Sequence, residues 1–152
     1  MATLDYWKLS PAGMKSLASV SQYIKSSGLE PKLIHLVYLR VSQINGCAYC
    51  CDMHSHDALE AGVSSQALHV LAAWHEAEDL FTDSEKAALA WAEAVTRFAD
   101  ATAVQMQGRD EAYARLLQHF SEKEVVDLTL TIAAMNAWNR IAVSFHQGPA
   151  RR

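Results

Sequence analysis

The residues best suited to carry out chemistry lie in one short segment, NGCAYCCDMHSHD, at positions 45–57. This segment contains all three cysteines of the chain and two of its seven histidines. Cys47 and Cys50 are three residues apart, so on a helix they share a face and can close a short disulfide. His54 follows Cys50 by four residues, which places an imidazole one helical turn from that sulfur. Two thiols beside a proton acceptor are the components of a redox-active thiol site.

A zinc site is an alternative interpretation of the same segment. Cys47, Cys50 and His54 with a fourth ligand, such as His35 or His56, are sufficient for tetrahedral coordination. Structural zinc sites usually bring a second ligand pair from a distant segment, and the sequence shows no evident second pair. We therefore expect no metal, although this alternative stays open. A third possibility is that the cysteines are only structural, because a free cysteine packs as a small apolar side chain.

The elements that must position these residues are predicted to be helices. The first helix is expected at about 11–27. Pro11 fits the first helical position, and Gly28 can end the helix. The second is expected at 31–44 and the third at about 47–61, with Gly46 ending the one before the other begins. Cys47 is then in the first turn of the third helix. Free backbone N–H groups and the helix dipole favour an anion there and lower the pKa of a thiol.

The rest of the chain also predicts helices. Two capping boxes, Thr82-x-x-Glu85 and Ser121-x-x-Glu124, mark the starts of later helices. No stretch shows sustained alternation of apolar and polar residues of the kind that a strand requires. The predicted fold is all-α, a compact helical bundle of about six or seven helices.

Length and composition predict an ordinary globular protein. Its 152 residues are 51% hydrophobic and 20% charged, which indicates a single domain over 1–152 with a core at about 10–145 and a tail at 147–152. The net charge of −4 gives no electrostatic footprint for nucleic acid. We see neither a secretory leader nor an apolar run near the roughly 20 residues of a membrane span. We therefore expect a cytoplasmic protein without nucleic-acid or membrane partners.

The segment LRVSQINGCAYCCDMHSHDALEAG closely resembles the signature of the alkylhydroperoxidase D-like branch of the carboxymuconolactone decarboxylase family. Two further segments carry the resemblance, LAAWHEAEDLFTDSEKAALAWAEAVT and FSEKEVVDLTLTIAAMNAWNRIAV, so that it covers roughly 10–143. The resemblance implies an all-α fold and homo-oligomers, commonly trimers or hexamers.

The resemblance also implies a function, a thiol-dependent alkylhydroperoxidase that needs no cofactor. By motif position, Cys50 would attack the hydroperoxide and become a sulfenic acid, and Cys47 would resolve it as a disulfide. His54 would belong to the proton relay. A dithiol partner, such as a lipoyl protein or a thioredoxin-like donor, would reduce the disulfide. The decarboxylase members of the family lack this cysteine pair, which disfavours their activity here.

One position departs from the family pattern. The family's relay normally includes a glutamate twelve residues before the first cysteine, where this chain has His35. A histidine there can pass a proton while neutral or, as a cation, hold Cys50 as a thiolate. It is equally consistent with weakened peroxidase activity. The alternatives are therefore a thiol–disulfide redox sensor or oxidoreductase without peroxidase turnover, and a non-enzymatic zinc-binding or structural oligomer.

Five other side chains are assigned lesser roles. Cys51 is predicted to be a buried structural thiol, and Tyr49 an aromatic lining or packing residue. His56 is predicted to be exposed, because its helical angle differs from that of His54 by about 200°. Asn136 and Arg140 share a helical face, and we expect packing or subunit contacts from them.

Overall fold

The structure is a computed structural model that describes residues 3–100 and 102–151. Within those ranges the chain forms eight α-helices and three short 3₁₀ segments, and no strand. The α-helices are α1 (Tyr6–Leu9), α2 (Pro11–Lys25), α3 (Pro31–Ile44), α4 (Ala48–Glu60), α5 (Ser65–Val70), α6 (Asp83–Thr96), α7 (Ala103–Leu116) and α8 (Glu122–Ser144). The 3₁₀ segments are Leu71–Glu76, Glu78–Leu80 and Phe98–Asp100. The all-α prediction is confirmed.

The helix starts follow the local signals of the sequence. Both predicted capping boxes form, at the starts of α6 and α8. A third capping box, of Thr102 and Gln105, begins α7. The extra helix in the count is α1, whose four residues are too few to show a helical period.

Helix α3 lies at the centre of the bundle. Nine of its fourteen residues are buried, and it packs against α4, α6 and α8. Such a helix is apolar around much of its circumference, as expected for one enclosed by neighbours. Its fully buried aliphatic side chains are Leu36, Val37, Leu39 and Val41. The position of helix α3 is therefore fixed by contacts with three neighbouring helices.

A largely buried ion pair joins α3 to α6. Nε of Arg40 donates to Oε1 of Glu93 at 2.7 Å, and its Nη2 lies 2.7 Å from the same oxygen. Nε1 of Trp74 also donates to this oxygen, at 2.9 Å. Burial raises the pKa of Glu93, but the hydrogen bonds from Trp74 and Arg40 outweigh this effect, and the net pKa is lowered. Glu93 therefore remains a carboxylate that holds the two helices together.

In the part of the chain that the structure describes, no helix is both long enough and apolar enough to cross a bilayer.

Candidate active site

The turn between α3 and α4 places the cysteine pair at a helix start. Gly46 has φ of +67°, a left-handed conformation that favours glycine. Cys47 is the N-cap of α4, and its sulfur accepts a hydrogen bond from the backbone N–H of Cys50 at 3.3 Å. The helix predicted at 47–61 is Ala48–Glu60, so Cys47 caps the first turn and Cys50 lies within it.

Cys47 and Cys50 are joined by a disulfide, with their Cα atoms 5.3 Å apart. Both are almost fully buried, at 1% and 2% exposure. In this oxidised state neither sulfur is a thiolate, and the thiolate is the form that binds zinc. The zinc alternative based on these two cysteines therefore applies only to reduced protein.

Amide side chains of α8 hold this turn in place. Nδ2 of Asn45 donates to Oδ1 of Asn136 at 3.0 Å and to Oδ1 of Asn139 at 2.9 Å. Asn139 is fully buried, and its own Nδ2 donates to Oγ of Ser42 at 3.1 Å. Arg140 in turn donates to the Asn136 side chain at 3.0 Å. Asn136 therefore makes a packing contact as predicted, and this contact supports the residue two positions before Cys47.

His54 is buried on α4 with one nitrogen paired and the other unpaired. Its Nδ1 lies 3.2 Å from Oδ2 of Asp57. A carboxylate only accepts hydrogen bonds, so this contact places the imidazole proton on Nδ1 and leaves a lone pair on Nε2. Among the described residues, buried Nε2 has no hydrogen-bond partner. A buried basic nitrogen without a partner can take up a proton during a reaction.

The environment keeps His54 neutral. Burial is the main cause that lowers its pKa to about 4. The Asp57 carboxylate acts in the opposite direction, and His35 adds to the lowering. His54 is therefore an uncharged base at neutral pH.

His35 faces His54 from α3. Its Nδ1 lies 3.7 Å from Oδ2 of Asp57, and the centroids of the two imidazole rings are 5.9 Å apart. Burial lowers the pKa of His35 as well, against the opposite effect of Asp57. Of the two roles considered for His35, this favours the neutral proton carrier over the cation. Tyr38 completes the group, with its ring centroid 4.8 Å from that of His54 and its pKa raised to about 12 by burial.

Asp57 is the functional candidate that sequence reasoning missed. It belongs to the quoted segment, three residues after His54, and that spacing permits a side-chain contact on a helix. Its approach to His35 depends on the packing of α3 against α4, which no local spacing reveals. The resemblance implies a glutamate at position 35, where this chain has histidine, and Asp57 brings a carboxylate to the same group from α4.

A cavity of about 580 Å³ opens beside these residues. This volume is within the range of small-molecule sites. Cys50, but not Cys47, is among the described residues that line it, together with His35, His54 and Asp57. Trp7 of α1 and Trp138 of α8 also line the cavity and stack on each other, with ring centroids 5.9 Å apart. Three of the four predicted site residues, Cys50, His54 and His35, thus line one cavity, and Cys47 is bonded to Cys50.

The residues with lesser predicted roles lie around this group. Cys51 is a free, half-buried thiol whose pKa is raised by burial, and it packs against the apolar cluster that contains Leu36 and Leu71. His56 is exposed. Tyr49 lines the cavity.

We predict that burial of neutral His54 makes stability depend on pH. The unfolded chain binds a proton at His54 near its ordinary pKa of about 6.5, whereas the folded chain does so only near 4. The unfolded state therefore binds more protons between these values, and the free energy of unfolding falls as the pH decreases. The loss attributable to His54 should reach on the order of 3 kcal/mol. Urea titrations of wild type and His54→Gln at several pH values measure it, and equal pH slopes would contradict the prediction.

Comparisons with known proteins find relatives of this chain. The model of the carboxymuconolactone decarboxylase family matches residues 11–94. The uncharacterized protein YdfG of Bacillus subtilis (strain 168) is 38% identical over 141 residues, which cover 93% of this chain and 92% of YdfG. The uncharacterized protein YnjA of Escherichia coli (strain K12) is 33% identical over 112 residues, which cover 74% of this chain and 58% of YnjA.

Solved structures show the same fold. One is the crystal structure of a protein of unknown function from Agrobacterium tumefaciens, which is named as a suggested antioxidant defence protein AhpD. It superposes on this chain with a TM-score of 0.91 and is 39% identical, and the match covers 100% of both chains. The debrominase Bmp8, in a complex with 2,3,4-tribromopyrrole, gives a TM-score of 0.76 at 20% identity and covers 91% of this chain and 71% of its own. At that identity, the likeness to Bmp8 concerns the fold.

Proposed function

The chain belongs to the carboxymuconolactone decarboxylase family, and within it we propose that this protein is a thiol-dependent alkylhydroperoxidase that works by a Cys47–Cys50 disulfide cycle. The observation that carries the proposal is the position of Cys50. It is bonded to Cys47, lies on the wall of a cavity, and shares that wall with the neutral base His54. The similar structure from Agrobacterium tumefaciens, named as a suggested antioxidant defence protein, supports the same chemistry.

The proposed reaction begins with the reduced pair. Nε2 of His54 takes the proton of the Cys50 thiol, and the thiolate attacks the terminal oxygen of the hydroperoxide. An S–O bond forms, the O–O bond breaks, and the alkoxide leaves as an alcohol with the proton from His54. The Cys47 thiol then attacks the sulfur of the Cys50 sulfenic acid, so that water leaves and the disulfide forms. A dithiol restores both thiols by exchange.

Burial of the disulfide favours a reductant that reaches into the cavity. Cys50 is only 2% exposed, and attack on a disulfide requires access to the sulfur. A small dithiol, or a lipoyl group on a flexible arm, fits this requirement better than the broad surface of a thioredoxin-like protein. We therefore expect dihydrolipoamide to support turnover.

Counting thiols tests the cycle directly. Reduced protein exposed to one equivalent of an alkyl hydroperoxide should lose two thiols per chain, measured under denaturing conditions, and should release one equivalent of the alcohol. The third thiol, Cys51, should remain because its raised pKa keeps it protonated. No loss of thiols would contradict the peroxidase. Rapid oxidation without turnover in the presence of dihydrolipoamide would favour the redox sensor.

We predict that Asp57 positions His54. In Asp57→Asn the amide can donate to Nδ1, which moves the imidazole proton to Nε2 and removes the lone pair that receives the Cys50 proton. We expect kcat/KM to fall roughly 10- to 100-fold, with a change in its pH profile. Glu60→Gln is the matched control, because it removes the same charge from the same helix and cavity but leaves the His54 contact in place. Equal losses in the two variants would show a general charge effect.

A further inference from the structure

Three potential metal ligands converge on the cavity wall. Among the described residues, His35, His54 and Asp57 form a group whose ligand atoms all lie within 4.8 Å of one another. The group joins two elements, since His35 belongs to α3 and the other two to α4. Packing of the two helices therefore sets its geometry, which is the rigid support that a binding site needs.

The distances in the group suit a small tetrahedral ion. Oδ2 of Asp57 lies 3.2 Å from Nδ1 of His54 and 3.7 Å from Nδ1 of His35. Zinc bonds nitrogen and oxygen at roughly 2.0–2.2 Å, which in a tetrahedron separates the ligand atoms by about 3.4 Å. Both separations between the carboxylate and an imidazole are within about 0.3 Å of this value, and all ligand atoms of the group lie within 4.8 Å of one another.

Within the described part of the chain, Nδ1 of His35 is a buried nitrogen without a hydrogen-bond partner. At His54 the nitrogen beside Asp57 is Nδ1, which contacts the carboxylate, and the side chain is only 6% exposed. Buried polar atoms without partners are rare in folded proteins and call for an explanation such as ion binding. For His35 the unpaired nitrogen is the same atom that faces Asp57.

We propose that His35, His54 and Asp57 form a binding site for a divalent transition metal of the zinc type. Two imidazole nitrogens with one carboxylate are the ligand set that such ions prefer, whereas magnesium and calcium select oxygen ligands. Three protein ligands leave a fourth position for water or another ligand, and all three residues line the cavity. This site differs from the cysteine-based zinc alternative because it uses Asp57 and needs neither sulfur, so it exists while the Cys47–Cys50 disulfide is intact.

The same atoms link the metal to the proposed reaction. An imidazole that binds zinc through Nδ1 carries its remaining proton on Nε2, so the lone pair proposed to accept the Cys50 proton is lost. On the basis of the proposed function, we expect bound zinc to inhibit hydroperoxide turnover. The metal site itself does not depend on that function, because binding is measured without any substrate.

Zinc titration of the oxidised protein tests the site. With the disulfide closed and Cys51→Ser as background, no thiol is available as a ligand. Competition with a chromogenic zinc chelator should show one equivalent bound per chain. Asp57→Asn and His35→Gln should each weaken binding by 10-fold or more. His56→Gln, which removes an exposed imidazole from the same helix, should bind as the background protein does.

Two outcomes would overturn the site: no zinc uptake by the oxidised protein, or equal affinity in all three variants when circular dichroism shows them folded. A spectrum of the Co²⁺-loaded oxidised background protein gives a check that needs no ligand variant. We expect the intense visible bands of a tetrahedral site, and an octahedral spectrum would contradict the geometry. Zinc that bound with the predicted variant pattern but left turnover unchanged would retain the site and contradict the relay role of His54.

Discussion

Replacing Cys50 with serine is expected to reduce hydroperoxide turnover by roughly 1,000-fold or more, to near the uncatalysed rate. A serine hydroxyl is a far weaker nucleophile than a thiolate and forms no disulfide with Cys47. In the folded protein Cys50 lines the cavity while its bonded partner does not, so no other thiol of the pair is placed to meet the substrate. Steady-state reduction of cumene hydroperoxide with dihydrolipoamide measures the loss.

Two matched variants make this result specific. Cys51→Ser removes the adjacent thiol, whose pKa is raised by burial, and should leave the rate unchanged. Cys47→Ser should still react once with hydroperoxide and lose one thiol per chain, because the sulfenic acid forms but is not resolved. Full activity in Cys50→Ser would show that another residue is the nucleophile. A large loss in Cys51→Ser would show that the third cysteine takes part in the cycle.

The largest effect on stability is expected at Glu93. Removing its carboxylate in Glu93→Ala leaves the guanidinium of Arg40 buried, at 8% exposure, without its ion pair. The N–H of Trp74 loses its acceptor as well. Breaking a buried pair from one side typically costs about 3–5 kcal/mol, because an uncompensated charge stays in the interior. Urea or thermal unfolding of the variant measures the change in free energy.

The control is an ion pair on the surface. Asp110 pairs with Arg109 on α7 and has a side chain that is 68% exposed, so Asp110→Ala should change the free energy of unfolding by less than about 1 kcal/mol. A Glu93→Ala variant as stable as Asp110→Ala would contradict the anchoring role of the pair. If Glu93→Ala does not fold, Glu93→Gln retains the volume and two hydrogen-bonding groups, and an intermediate loss of stability is expected.

The parts of the fold that depend on local chemistry were predictable from the sequence. Pro31 and Gly46 bound α3 where expected, since one fits the first helical position and the other adopts a left-handed conformation. The capping boxes did the same for α6 and α8. The position of His54 relative to Cys50 followed from helical spacing alone.

The parts that depend on contacts between distant residues were not predictable. Asn45 contacts Asn139 across 94 positions of the chain, and no spacing rule connects them. Asp57 lies three residues from His54, but its place beside His35 requires α3 and α4 to be packed together. The cavity depends likewise on the stacking of α1 on α8. Helix α1 is too short to show a helical period in the sequence.

The hydrogen bond from the Cys50 backbone to the Cys47 sulfur has a consequence for the proposed redox cycle. The sulfur accepts this bond as part of a disulfide, and as a thiolate it would be a stronger acceptor at the same helix terminus. We therefore expect the first turn of α4 to keep its cap when the disulfide is reduced. Under the proposed function, the pair would then change its oxidation state without a rearrangement of the surrounding backbone.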